Sequence, residues 1–149
     1  MRTVGLIFGL AALATAGCQQ QTVAKLEPPA PVVIRPAGPD IPEQYAAFLG
    51  TWYGDWNGAI ESFMVVEEVD ATGNAVVNYK WGNAPAYQVT AGEARGPAII
   101  QGDTLKWGSQ AKFTFKLRAD GMLDAERVTR GARTTGVFEK VSGPVPPTL

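Results

Sequence analysis

From residue 50 onward, apolar and polar positions alternate with the period of two that belongs to β-strands. In residues 75–81, Ala75, Val77, Tyr79 and Trp81 share one face, while Val76, Asn78 and Lys80 share the other. The cleanest case is residues 111–117, where Ala111, Phe113, Phe115 and Leu117 oppose Lys112, Thr114 and Lys116. Further strands are predicted over residues 50–56, 59–69, 97–101, 122–129 and 132–141, with Leu105 and Trp107 on one face of another and a short one over 87–90. Turn chemistry separates them: Asn57-Gly58, residues 70–74, Gly102-Asp103, Asp120-Gly121 and Arg130-Gly131. One run departs from alternation. Phe63-Met64-Val65-Val66 is apolar on both faces, so periodicity does not fix which of its side chains point inward.

Before the strands, Asp40-Ile41-Pro42-Glu43 carries the signals of a helix start, with Asp40 as cap and proline in the first turn. Tyr45, Phe48 and Leu49 then form an i, i+3, i+4 stripe. A helix this short needs a larger surface to pack on, and the end of a barrel supplies one. The fold class is therefore all-β: a small antiparallel up-and-down barrel of eight or nine strands behind a short N-terminal helix. A two-sheet sandwich is the alternative. The barrel domain spans residues 42–141. Residues 142–149, with Pro144, Pro146 and Pro147, form a tail unsuited to a sheet interior.

The first part of the chain is different in kind. Met1-Arg2 is followed by an apolar run from Val4 to Ala16, shorter than a bilayer-spanning helix requires. Residues 18–41 contain Pro28, Pro29, Pro31, Pro36 and Pro39, and read as an extended spacer rising about 3 Å per residue. A proline-recognition segment is the less favoured reading.

Composition narrows the chemistry. The 149 residues carry 13 basic and 14 acidic side chains, so nothing marks a nucleic-acid partner. Histidine is absent and there is one cysteine, which removes most routes to a zinc site, a Ser-His or Cys-His nucleophile pair, or an internal disulfide. The turn at 70–74 has the outline of a calcium loop without its later carboxylate, and a hairpin is the expectation. Glu67 and Glu68 are adjacent on a strand and are expected to face opposite ways; Glu61 lies about 20 Å from Glu67 at the strand rise. Neither pair suits general acid–base work on one bond. No metal, cofactor or catalytic residue is expected.

Residues with binding potential remain. Tyr79, Trp81, Trp107, Phe113 and Phe115 fall on inward faces, where they line an apolar pocket or fill the core. Arg127, Arg130 and Arg133 crowd one hairpin, and a guanidinium there suits a carboxylate or anionic headgroup. Tyr53, Asp55, Trp56 and Asn57 have the makings of a sugar-stacking surface, with packing as the plainer reading.

Two resemblances add to this. Ala14-Thr15-Ala16-Gly17-Cys18 resembles the lipobox of bacterial lipoproteins. It implies a signal peptide over residues 1–17, cleavage before Cys18 and acylation of its thiol. Gln19, rather than an aspartate, then implies the outer membrane, with the domain facing the periplasm. Second, a short helix followed by Gly50-Thr51-Trp52 and an antiparallel meander resembles the lipocalin or wider calycin group. That resemblance makes Gly50 and Trp52 the closure of one barrel end and packs the tryptophan against an arginine from a late strand, for which Arg127 and Arg133 are candidates. The expected function is non-catalytic binding of a small apolar or amphipathic ligand by a lipid-anchored envelope protein. The competing expectation is a filled barrel that presents its surface to an envelope protein or glycan.

Overall fold

The computed structural model describes residues 25–142. Cys18, the signal segment and the C-terminal tail beyond Ser142 lie outside these residues. A short helix α1 (Glu43–Ala46) precedes eight strands: β1 (Gly50–Trp56), β2 (Ile60–Val69), β3 (Asn74–Trp81), β4 (Gly92–Gln101), β5 (Thr104–Trp107), β6 (Lys112–Leu117), β7 (Leu123–Thr129) and β8 (Ala132–Ser142). Each pairs antiparallel with the next, and β1 also pairs with β8, so the sheet closes into a barrel in chain order. Closure gives every strand a neighbour on both sides along at least part of its length.

The turns form where the sequence places them. Asn57 and Gly58 have φ of 53° and 69°, and Arg130 and Gly131 have 49° and 82°, the left-handed pairs that two-residue hairpins need. In the turn after β2, Asp70 accepts hydrogen bonds from the Thr72 and Asn74 backbone and side chains. These bonds hold its carboxyl down near 2, and the segment is a hairpin. Residues 87–90 do not form a strand. Pro85–Tyr87 makes one 3-10 turn, and only Ala84 and Val89 bridge. β4 instead begins at Gly92, five residues before the predicted start at Pro97. Pro97 is tolerated because β5 pairs only with residues 98–101, leaving the proline without a β5 partner to bond.

α1 has one turn rather than two, and its cap is Pro42, with no side-chain hydrogen bond from Asp40. It still plugs the barrel. Phe48 and Leu49 are fully buried, and the Trp52 indole donates to the Phe48 carbonyl at 2.8 Å. Gly50 follows with φ of 126°, a backbone state that lets the chain turn from helix into β1. Beneath this plug, Met64, Val66, Val77, Ile100, Leu105, Phe115, Leu123 and Phe138 fill the interior. The Phe138 ring lies so close over Gly54 that a Cβ there would sit 2.6 Å from it.

β2 resolves the run that is apolar on both faces. Met64 and Val66 point inward, while Phe63 and Val65 point outward and are nevertheless buried. Residues 25–35 cover them. The Leu26 amide donates to Glu61, the Arg35 amide donates to the Glu67 carbonyl, and Ile34 is buried. Arg35 also pairs with Glu68 at 2.7 Å. Residues 25–35 of the proline-rich stretch are thus a strap on the barrel wall, where sequence composition suggests a free spacer.

A bulge between Val66 and Glu68 changes the reading of the two carboxylates. It turns Glu67 and Glu68 to the same, outer side, where Glu67 binds Arg95 and Glu68 binds Arg35. Each carboxylate is held by its own arginine.

Candidate functional site

The two ends of the barrel differ. The end with α1 is filled. The other, bounded by the β1–β2, β3–β4, β5–β6 and β7–β8 connections, opens into a cavity of about 400 Å³. Strand lengths create this opening. β5 has four residues against ten in β4, so the first half of β4 lacks a neighbour on one side. The loop from Gly108 to Ala111 covers part of the gap and lines the cavity with Ala94 and Val89.

Aromatic rings make its walls. Tyr79 lies 5.9 Å from Trp81 in a stacked arrangement, 5.2 Å from Trp107 and 5.1 Å from Phe113. Trp107 and Phe113 are 5.0 Å apart. These contacts fix the rings as one surface. Trp81 is held further by its indole, which donates to the Thr90 carbonyl at 2.8 Å, and by Gly92, whose missing side chain leaves room for the indole ring. The floor is Trp56 and Tyr79, both buried. The Trp56 indole donates to the Tyr79 hydroxyl at 2.6 Å, and that hydroxyl donates to Ser62 at 2.8 Å. Burial pushes the Tyr79 phenol above its ordinary value, which keeps it neutral and able to serve both bonds.

One charged side chain enters this surface. Arg127 follows Leu123 and Ala125 along the inward face of β7, and its guanidinium lies 5.9 Å from the Phe113 ring centre. No carboxylate lines the cavity, and Arg127 makes no ion pair among the described residues.

Of the residues singled out from sequence, Tyr79, Trp81, Trp107, Phe113 and Arg127 come together here. Phe115 does not. It is fully buried one layer deeper, against Phe138 and Trp56. The three arginines of the last hairpin separate, because neighbouring strand positions point to opposite faces and the turn points outward. Arg133 lies outside and pairs with Glu126 at 3.1 Å, and Arg130 is exposed in the turn. Neither Arg127 nor Arg133 reaches Trp52. The cation over that ring is Lys140 of β8, 4.8 Å from its centre, with its ammonium donating to the Ala47 carbonyl. The imagined sugar-stacking surface is also divided: Trp56 is inside, Tyr53 lies outside beside the strap, and Asp55 binds the Gly58 amide. Sequence reasoning missed Trp56 as a floor residue, although its parity with Trp52 places it inward.

A second concavity, about 780 Å³, runs between the strap and the outer faces of β1, β2 and β8. Prolines and the Tyr53–Phe63 pair line it, together with Glu27, Glu139 and Lys25, whose ammonium lies 5.8 Å from the Tyr53 ring centre. Among the described residues no group of three or more metal-ligating side chains occurs. Among the described residues no helix is long and apolar enough to cross a membrane.

No protein-family model matches the chain, and no curated protein matches it in sequence. Its class is therefore stated by architecture: a closed eight-stranded up-and-down barrel, consistent with a lipocalin-like fold, plugged at one end and open to an aromatic cavity at the other.

Proposed function

We propose that this protein is a lipid-anchored binding protein of the cell envelope, which holds a small apolar or amphipathic molecule in the open mouth of its barrel without transforming it. The observation that carries this reading is the asymmetry of the interior. A barrel of eight strands is small enough for side chains to fill. Here they fill one half and leave about 400 Å³ at the other, walled by four aromatic rings. Cavities of this size and lining suit small ligands. The anchor rests on the lipobox-like sequence ending at Cys18, and the outer membrane on Gln19. A lipocalin-like ancestry rests on Gly50-Thr51-Trp52, the plug and the barrel.

The test uses the neutral fluorescent probe N-phenyl-1-naphthylamine and a fragment beginning at Lys25, which retains the strap and every strand. Wild type is expected to enhance probe emission with saturation. Trp107→Ala is expected to weaken binding about ten-fold, with an unchanged near-ultraviolet spectrum in the other aromatic bands. No saturable binding by wild type would sink the ligand reading and favour an interaction module with an unoccupied mouth.

A further inference from the structure

Resting on the reading of the mouth as a ligand site, we infer that its ligand is a planar acid: a flat ring system bearing a carboxylate that docks on Arg127.

Arg127 is placed as an anion receptor and not as a structural ion-pair partner. It sits on the inward row of β7, yet the neighbouring acid Glu126 faces outward and is occupied by Arg133. Directly across the sheet, Arg127 faces Phe113 on β6 and Thr134 on β8, neither of which carries charge. Its Nε is buried and has no hydrogen-bond partner. Two residues nearer the rim on the same row, the Thr129 hydroxyl is also buried and unpartnered. Three such side-chain atoms occur among the described residues, and two of them therefore lie on this one face of one strand. Buried polar groups are normally paired, so a concentration of unpaired ones marks a place where an acceptor is missing.

The guanidinium fork matches a carboxylate, which accepts two parallel hydrogen bonds in the plane of the group. The half-buried setting, with no competing acid in the cavity wall, strengthens that attraction over its value in water. The rest of the ligand is specified by the rings. Trp81, Tyr79, Trp107 and Phe113 present faces and edges at centroid spacings of 5.0 to 5.9 Å. Such a surface favours a flat ring over a bulky or branched body. Arg127 already lies against Phe113, so a carboxylate held by the guanidinium keeps its ring beside the aromatic wall.

The test titrates 2-naphthoate and its uncharged isostere 2-naphthamide into the full chain held in phosphatidylcholine nanodiscs, by calorimetry, with empty nanodiscs subtracted. The naphthoate is expected to bind at least about ten-fold tighter than the amide. Arg127→Met is expected to reduce the ratio of naphthoate to naphthamide affinity to less than about two-fold. Arg127→Lys, which keeps the charge and loses the fork, is expected to fall between them. Near-ultraviolet circular dichroism of each variant checks the fold. Equal binding of acid and amide, or a preference that survives in Arg127→Met, overturns the acid assignment and leaves the ligand pocket standing. Absence of binding by both probes overturns the two readings together.

Discussion

Lys140 and Arg127 are both cations laid against aromatic rings, and their surroundings give them opposite tasks. Lys140 sits at the plugged end, where its ammonium covers the Trp52 ring and donates to the Ala47 carbonyl. Partial burial lowers its pKa, and both contacts offset that cost. It ties β8 to α1 across the first strand. Lys140→Met is expected to lower stability by about 1–2 kcal/mol in urea unfolding, from the lost cation–ring contact and the unpaired carbonyl. Lys140→Arg should recover most of it. An unchanged midpoint for Lys140→Met would show that the plug holds without this residue. The role was not legible in the sequence. Arginines at 127 and 133 stand in the right part of the chain, and only the register of β8 against β1, with Trp52 opposite Lys140, selects the lysine.

At the scale of elements, the strap and β2 explain one another. Phe63 and Val65 face outward on β2 and would expose a flat apolar surface without residues 25–35 over them. Prolines in the strap reduce the conformational freedom lost on docking. Glu61 is the polar fastening: its carboxylate accepts from the Leu26 amide at 2.8 Å and from the Tyr53 hydroxyl at 2.5 Å. The tyrosine bond, then the Leu26 amide, lowers the Glu61 pKa, and the same bond to Glu61 pushes Tyr53 up to about 12. The signs differ. The Glu61 contribution is present above its unfolded value of about 4.3 and is lost as pH falls through its lower folded value. The Tyr53 contribution is present below about 10 and is lost as pH rises towards about 12. In a spectrophotometric titration, Glu61→Gln is expected to bring one tyrosine back towards pH 10. The same variant should speed amide exchange at Leu26. A titration curve identical to wild type would mean that the pair does not form. The two-sided apolar pattern of residues 63–66 was visible in the sequence; its cause was not, because the cover comes from a segment more than thirty residues away, whose composition alone suggests a free linker.

Over the whole molecule, closure gives the barrel two unlike ends. The first is plugged by α1, the second is left open by a short β5 and the loops around it. The described strap begins at Lys25, seven residues after Cys18, so acylation of Cys18, as proposed, would tether the barrel to a membrane through the N-terminal end of the strap. Cys18→Ser is expected to abolish incorporation of labelled palmitate and to leave an uncleaved precursor, read by gel mobility; labelling that persists would remove the anchor from the proposal. What the sequence by itself determined is local. Period-two alternation set most of the strands, turn signals marked five of the seven reversals between them, and parity put Tyr79, Trp81, Trp107 and Phe113 on inward faces. Tertiary structure decided the rest. Whether β1 meets β8, how deep each inward ring lies, which cation covers Trp52, and that Phe115 fills the core while Arg127 remains unpaired in the mouth all depend on strand register around a closed sheet. Alternation gives a side chain its face; only closure gives it a depth and neighbours from distant strands.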